Sequence, residues 1–152
     1  NTTHIHTSAF AGCHGLHSIT LTPAVTTFGP SSFWGCEKLP TDFMVTTMVK
    51  EVGIGAFARC EIDSTNLPLY AMQDIYTFIG GEGEMAPYGV VNVVVGENVE
   101  SITNYNFGWR CNKITHVEFH STSITIRTYA FKTPTLKEIT FQENCNLNIK
   151  RS

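Results

Sequence analysis

Residues 16–36 read LHSITLTPAVTTFGPSSFWGC, and the spacing of the apolar residues in this segment returns along the whole chain. The clearest marker is a phenylalanine that recurs after 23, 24, 50 and 24 residues, at Phe10, Phe33, Phe57, Phe107 and Phe131. An interval of 50 is two repeats with one phenylalanine missing, so the chain reads as six copies of a unit of about 24 residues. A period in this range is the sequence mark of a solenoid.

Each unit contains two apolar residues separated by one other residue, which is the period-2 pattern of a short strand with one buried face. These pairs are Ile19/Leu21, Phe43/Val45, Leu67/Leu69, Val93/Val95, Val117/Phe119 and Ile139/Phe141. The Ala-Phe-x-x-Cys-x-x-Leu segment of the unit spaces its apolar residues three apart, which favours a helical or 3₁₀ turn. The sequence therefore predicts coils that each hold a short β-strand, extended segments and a compact turn.

The repeat is similar to the BspA-type leucine-rich repeat, Leu-x-x-Ile-x-Leu-x-Pro-x-x-Val-x-x-Ile-Gly-x-x-Ala-Phe-x-x-Cys. The residues that carry the resemblance are those from Leu16 to Gly29 and from Phe33 to Cys36, and the pattern extends from about Ile5 to Phe141. The resemblance implies a right-handed leucine-rich repeat solenoid. Its short parallel strands would form the concave face, with helical or 3₁₀ turns and extended segments on the other walls.

The resemblance also carries an expectation of function. Proteins with this repeat are typically found on the surface of bacteria or protists, where they serve adhesion or recognition. Since the repeat consensus is structural, the resemblance brings no catalytic residues with it. We expect one solenoid domain over residues 1–152, with a degenerate coil at about residues 61–89, where Gly80-Gly81-Glu82-Gly83-Glu84 stands in place of Ala-Phe and Cys.

The composition is that of an ordered domain outside the cytosol. Apolar residues make up 42% of the chain and charged residues only 15%, compared with about a quarter in an average globular protein. A net charge of −3 gives no electrostatic reason to bind nucleic acid. No apolar run approaches the roughly 18 residues of a membrane span. The chain starts with Asn1 and has no signal peptide, which indicates a processed chain or a fragment of an extracellular or cell-surface protein.

Four of the five cysteines share one position of the repeat: Cys13, Cys36, Cys60 and Cys111. Stacked coils lie about 4.8 Å apart, so neighbouring cysteines could come within range of a disulfide. The strict geometry of that bond is seldom met by parallel stacked side chains, whereas free cysteine packs well as a small apolar group. The sequence favours a stack of buried thiols, with a disulfide as the alternative. The chain contains no Cys-x-x-Cys pair, so the sequence does not support a structural zinc site.

A possible metal site lies on the predicted strand around Val117 and Phe119. Because these two residues point into the core, His116, Glu118 and His120 point outward together. Two imidazoles and a carboxylate at this spacing could bind a metal ion. The alternative is that they are ordinary polar residues of an exposed strand face.

Enzymatic chemistry has little support in the sequence. The acidic loop at residues 80–84 could supply a carboxylate pair or calcium ligands, but a solvated insertion is the favoured explanation. The chain has no nucleophile–base pair, GxSxG, HExxH or phosphate-binding loop. We therefore expect neither enzymatic activity nor a cofactor.

The outward strand positions remain as the expected binding surface, because solenoids usually bind partners through the concave sheet. Its candidate contact residues are Met44, Asn66, Tyr70, Asn92, Val94, His116, Glu118 and His120. Tyr70 is the preferred single contact, since tyrosine is a favoured interface anchor. A protein or glycan on a cell surface or in the matrix would suit this layout.

An alternative function follows from the ends of the repeat array. Soluble solenoids need polar caps, yet the first and last coils carry Ile5, Ile139, Phe141, Leu147 and Ile149. Head-to-tail contacts between copies would build an extracellular filament. Separately, Asn1-Thr2-Thr3 is a glycosylation sequon, which makes Asn1 a candidate site.

Overall fold

The computed structural model describes residues 2–43, 49–82, 84–103, 106–107, 111–131 and 133–150. The chain divides into two compact units, which are unit 1 (Asn1–Ile75) and unit 2 (Tyr76–Ser152). Within the described residues the regular structure consists of ten short strands and one 3₁₀ helix. The strands are β1 (His4–Ile5), β2 (Thr27–Phe28), β3 (Glu51–Val52), β4 (Ile75–Phe78), β5 (Asn92–Val95), β6 (Ser101–Ile102), β7 (His116–Phe119), β8 (Ser123–Arg127), β9 (Glu138–Phe141) and β10 (Asn146–Lys150).

Unit 1 is a stack of coils held by parallel pairing. The strands β1, β2 and β3 form one sheet in that order, and Ile5 pairs with Phe28, which pairs with Val52. Parallel pairing in this register places equivalent residues of successive coils directly above one another. The three strands are short because each coil contributes only a few extended residues before it turns.

A ladder of phenylalanine rings fills the interior of unit 1. The ring of Phe33 stacks on Phe10 with centroids 5.0 Å apart and on Phe57 with centroids 5.4 Å apart. The backbone repeats the same step, since Phe10 N donates to Ser32 O and Phe33 N donates to Ala56 O. The recurring phenylalanine of the sequence is thus a column of stacked rings in this unit.

Glycine is required where successive coils of unit 1 approach most closely. A Cβ atom on Gly53 would lie 2.3 Å from the backbone nitrogen of Pro30, and one on Gly29 would lie 2.5 Å from the nitrogen of Thr7. Both glycines occupy the same repeat position, so the close approach is a property of the coil spacing.

The strand predicted at Leu67/Leu69 is wrong, because Leu69–Met72 form a 3₁₀ helix there. Pro68 is the residue before the helix, and proline is unfavourable inside a strand because it cannot donate a hydrogen bond. This coil is also short. Phe57 N donates to Ala71 O, and far fewer residues separate these two than separate Phe33 from its acceptor, Ala56. The strand of this region is β4, with Tyr76 and Phe78 buried.

The strand predicted at Ile19/Leu21 is also absent from the described structure, although both side chains pack against the core of unit 1. The inward direction of these two residues was therefore correct, and their strand conformation was not. The predicted Phe43/Val45 pair cannot be compared in the same way, since Val45 lies outside the described residues.

Unit 2 has two parallel sheets, one with the order β4-β5-β7-β9 and one with the order β6-β8-β10. In the first sheet, Val93, Val117 and Ile139 are in register, as are Val95, Phe119 and Phe141. The strands predicted at these three pairs are confirmed, but the predicted burial is wrong for Ile139 and Phe141, which lie on the outermost strand and are each 38% exposed. Phenylalanine again stacks between coils, with Phe107 and Phe131 centroids 5.3 Å apart and Phe119 and Phe141 centroids 4.9 Å apart.

Both units are therefore parallel β-solenoids with almost no helix, and the predicted fold class is confirmed. That residues 1–152 act as a single domain stays a prediction. In the described part of the chain, no helix is both long enough and apolar enough to cross a membrane.

The ring ladder makes a direct prediction for stability. Replacing Phe33 by Ala should lower the free energy of unfolding by about 3–5 kcal/mol, because it removes a fully buried ring and leaves a cavity between two others. Denaturant unfolding followed by circular dichroism measures this loss. The matched control is Phe10→Ala, where the ring is only partly buried and the loss should be smaller. An equal loss in both variants would contradict the ladder.

Candidate functional site

The candidate site is the exposed face of the strands β5, β7 and β9 in unit 2, which we call the strand face. Its residues are Asn92, Val94, His116, Glu118, Glu138 and Thr140, together with His120 just after β7. Because side chains alternate along a strand, the intervening Val93, Val95, Val117 and Phe119 are buried. The core on one side therefore fixes which side chains stand on the other.

The register of the sheet arranges these residues in rows across the strands. One row contains Asn92, His116 and Glu138. The next row contains Val94, Glu118 and Thr140. Neighbouring strands are about 4.8 Å apart, so side chains of one row can touch.

His116 is held by one neighbour in its own coil and one in the next. Its Nδ1 atom lies 2.7 Å from Thr115 Oγ1, and its Nε2 atom lies 3.4 Å from Glu138 Oε2. The contact to Glu138 crosses from β7 to β9 as the register requires. Both side chains are half exposed or more, so the pair stabilises the fold little and remains accessible to a partner.

His120, which follows β7 directly, pairs with a residue of that strand. Its Nε2 atom lies 2.8 Å from Glu118 Oε1. Glu118 is exposed, and His120 is partly covered. The strand face thus carries two separate histidine–glutamate pairs rather than one cluster.

This separation bears on the predicted metal site at His116, Glu118 and His120. Among the residues that the structure describes, no group of three or more His, Cys, Asp or Glu side chains is placed to hold a metal ion. His120 and Glu118 are brought together, whereas His116 faces Glu138 instead. A metal ion at these three residues stays a prediction without support from their arrangement.

The candidate residues of unit 1 do not form a strand face. Tyr70 lies in the 3₁₀ helix, with 47% of its surface exposed, and Asn66 is exposed in the preceding turn. Their assignment to outward strand positions is therefore wrong, for the reason given above for Pro68. Met44 lies outside the described residues.

The same helix exposes a residue that the repeat pattern assigns to the core. Leu69 is 91% exposed, whereas Leu67 packs against the core of unit 1. The proline between them was the available signal, because it begins the 3₁₀ helix and so ends the alternation of inward and outward side chains.

Glu84 in the degenerate region has a structural role that its position in an acidic loop did not reveal. Its carboxylate accepts hydrogen bonds from Tyr76 Oη at 2.7 Å, Gly81 N at 2.9 Å and Ile79 N at 3.1 Å. Its backbone carbonyl accepts one from Asn106 Nδ2 at 2.9 Å. These bonds close the loop that follows β4, so the Glu84 carboxylate serves to hold the loop in place.

Three cysteines form equivalent contacts between coils. The thiols of Cys36 and Cys60 lie 3.1 Å from the carbonyl oxygens of Phe10 and Phe33, one coil earlier. Cys111 makes the same kind of contact to Ala86 O at 3.5 Å. All five cysteines are free, and Cys36, Cys60 and Cys111 are buried as the stacked-thiol interpretation predicts, whereas the predicted burial of Cys13 is wrong.

The buried thiols are expected to be unreactive. Burial raises the pKa of Cys36 and of Cys60 to about 12, and for Cys36 the neighbouring Cys60 and Cys13 add to the effect. Burial also raises the pKa of Cys111 to about 11. The thiolate is the nucleophilic form of cysteine, so these three residues are structural. Cys13, in contrast, is exposed.

We expect iodoacetamide at pH 8 to alkylate Cys13 rapidly in the native protein and to leave Cys36, Cys60 and Cys111 unmodified until denaturant is added. The raised pKa keeps the three buried thiols protonated, and the packing blocks the reagent. Peptide mass spectrometry over a time course measures the order of labelling. Rapid labelling of Cys60 in the native state would contradict the placement of the thiols.

Comparison with known families agrees with this architecture. The family described as BspA type leucine rich repeat region matches in six copies, over residues 1–79 and 88–151. The gap between the two matched ranges contains the loop that Glu84 closes. No curated protein and no solved structure matches the chain. Since the match covers nearly all of the sequence, the chain belongs to the BspA-type leucine-rich repeat family.

Proposed function

We propose that the chain is a non-enzymatic extracellular module that recognises a protein or glycan ligand through the strand face. The observation that carries the proposal is the pair of rows across β5, β7 and β9, where the outward side chains of β5 and β7 stand on a buried layer formed by Val93, Val95, Val117 and Phe119. Leucine-rich repeat proteins of this family are often surface-associated and often bind partners. We also propose that residues 1–152 work as one solenoid domain.

The strand face suits recognition because its polar groups are held in place before a ligand arrives. Interactions that are pre-organised cost less conformational entropy on binding. His116 and His120 are each oriented by a glutamate, and Val94 adds an apolar contact beside Glu118. Glu118 and Glu138 give the face a negative character that favours a partner rich in hydrogen-bond donors.

An extracellular or cell-surface location is part of the proposal. The low content of charged residues supports it, as does the usual location of the family. The buried cysteines are compatible with an oxidising environment, because protonated, inaccessible thiols oxidise slowly. Glycosylation at Asn1, which lies outside the described residues, remains a proposal from the sequon alone.

Changing the strand face should reduce ligand binding. We expect the double variant His116→Ala/Glu118→Ala to bind cells, immobilised matrix proteins or glycan arrays at least about tenfold more weakly, as when two interface contacts are lost. The unfolding transition should move little, since both side chains are exposed. Glu143→Ala, an exposed glutamate beyond β9, is the matched control. Wild-type binding by the double variant would reject the strand face as the recognition surface.

A filament subunit is the second candidate, and the observation that favours it is the apolar edge formed by β9 and β10. These strands are outermost in their sheets, and Leu147 and Ile149 are 45% and 68% exposed. Edge strands with exposed apolar residues can pair with another chain. A second copy that adds its own coil would cover them.

If copies associate through this edge, Leu147→Asp/Ile149→Asp should abolish self-association. Light scattering over a concentration series should show a rising mass for the wild type and a constant monomer mass for the variant. Asn148→Asp adds a charge on the same strand while preserving the two apolar side chains, and it should assemble like the wild type. A wild-type chain that stays monomeric at high concentration would eliminate the filament.

A further inference from the structure

The strand β6 in unit 2 has one edge with no partner strand among the residues that the structure describes. It is the outermost strand of the sheet β10-β8-β6 and pairs with β8 alone. Thr125 N donates to Glu100 O at 2.9 Å, so the carbonyl of Glu100 points towards β8. Backbone groups of successive strand residues point to opposite edges, and those of Ser101 therefore point away from β8. Among the described residues, neither the N–H nor the C=O of Ser101 has a hydrogen-bond partner.

The next residue on this edge with an outward amide is already capped. Thr103 N donates to Asn106 Oδ1 at 2.7 Å, and Asn106 Nδ2 donates to Glu84 O at 2.9 Å. The Asn106 side chain thus stands where the backbone of a neighbouring strand would stand. It leaves the backbone groups of Ser101 as the open part of this edge, and it links β6 to the loop beside it through Glu84.

A cleft of about 490 Å³ adjoins this edge. Ser101 and Thr103 line it from β6, Phe78 lines it from the end of β4, and Glu84 and Met85 line it from the loop. Met85 is 51% exposed, and the nearby loop residues Ile79 and Tyr88 are exposed as well. The volume lies within the range of ordinary ligand pockets, and its lining combines apolar side chains with the open backbone groups.

We propose that the β6 edge and this cleft bind an extended peptide segment of a partner protein by β-augmentation. The edge is in a different sheet from the strand face, so the proposal goes beyond the proposed function and does not depend on it. An extended backbone presents a C=O and an N–H at the spacing needed to pair with Ser101. A helix has no free backbone groups to offer.

The cleft also indicates which side chains the peptide carries. One side chain would enter beside the exposed side chain of Met85, which favours an aliphatic residue such as leucine, whereas Phe78 is fully buried beneath the cleft. The Glu84 carboxylate accepts hydrogen bonds within its loop but has no cationic partner among the described residues, so its negative charge favours lysine or arginine next to the aliphatic residue. Acidic peptides are disfavoured for the same reason.

The test is an NMR titration of the ¹⁵N-labelled full chain with the capped peptide acetyl-Lys-Val-Leu-Val-Lys-amide. We expect the amide signals of Ser101 and Met85 to shift, and the Ser101 proton to move downfield as its hydrogen bond forms. The same peptide methylated on its three central amide nitrogens should bind about tenfold more weakly, because the peptide N–H that donates to the Ser101 carbonyl is lost. Replacing both lysines by glutamate should also weaken binding.

Protein variants separate the backbone contact from side-chain effects. Ser101→Pro removes the outward N–H and no bond to β8, and proline is tolerated on a strand edge in that orientation. It should weaken peptide binding about tenfold, whereas Ser101→Ala, which keeps the N–H, should bind like the wild type. Met85→Ser should also weaken binding and, because Met85 is exposed, should leave the chain folded.

Several outcomes would overturn the proposal. These are equal affinity for the methylated peptide, wild-type affinity in a folded Ser101→Pro variant, or no binding at all. Shifts centred on His116 and Glu118 would place the peptide on the strand face instead. A Ser101 shift that depends on protein concentration without peptide would identify a second copy of the chain as the occupant.

Discussion

Each unit of the structure depends on the stacking of its successive coils in residue register. Short backbone hydrogen bonds set the step, as between Phe33 N and Ala56 O at 2.8 Å, and the stacked rings of Phe10, Phe33 and Phe57 fill the interior at the same step. Because the spacing is fixed by hydrogen bonding, equivalent repeat positions of the regular coils lie above one another. Phenylalanine therefore packs on phenylalanine, a thiol approaches the carbonyl of the coil before it, and a Cβ atom is excluded at Gly53.

Most of the architecture of unit 2 could be predicted from the sequence, because alternation along Val93/Val95 and Val117/Phe119 reports burial directly. The short coil between Phe57 and Ala71 could not be predicted from the period, since a fixed period assumes that all coils have the same length. The hydrogen bond from Phe57 N to Ala71 O shows that this coil returns to the stack early. The local signals, Pro68 before a helix and a later alternation at Tyr76/Phe78, were present but conflicted with the assumed spacing. Where the period and the local chemistry disagreed, the local chemistry was correct.

For the candidate site, the sequence could predict which residues share a face of the sheet, but not which side chains contact each other. Alternation placed His116 and Glu118 on the exposed side, and the register placed His116 beside Glu138. The partner of each imidazole depends on side-chain rotamers, which a sequence pattern does not contain. His120 contacts Glu118 of the strand that it follows. The role of Glu84 was hidden for a related reason. Its donors from Tyr76 and Gly81 converge only because the chain turns at Gly80, where φ is +74°.

The short coil between Phe57 and Ala71 shows how a chain of this type can tolerate changes in length. Each coil of a solenoid is stabilised by its immediate neighbours, so the 3₁₀ helix of Leu69–Met72 can replace a longer segment without altering the ring stack of Phe10 and Phe33. Deletions and insertions are then confined to the coil in which they occur. Evolution can accordingly diversify one repeat at a time, and new loops can arise within an array whose remaining coils preserve their packing.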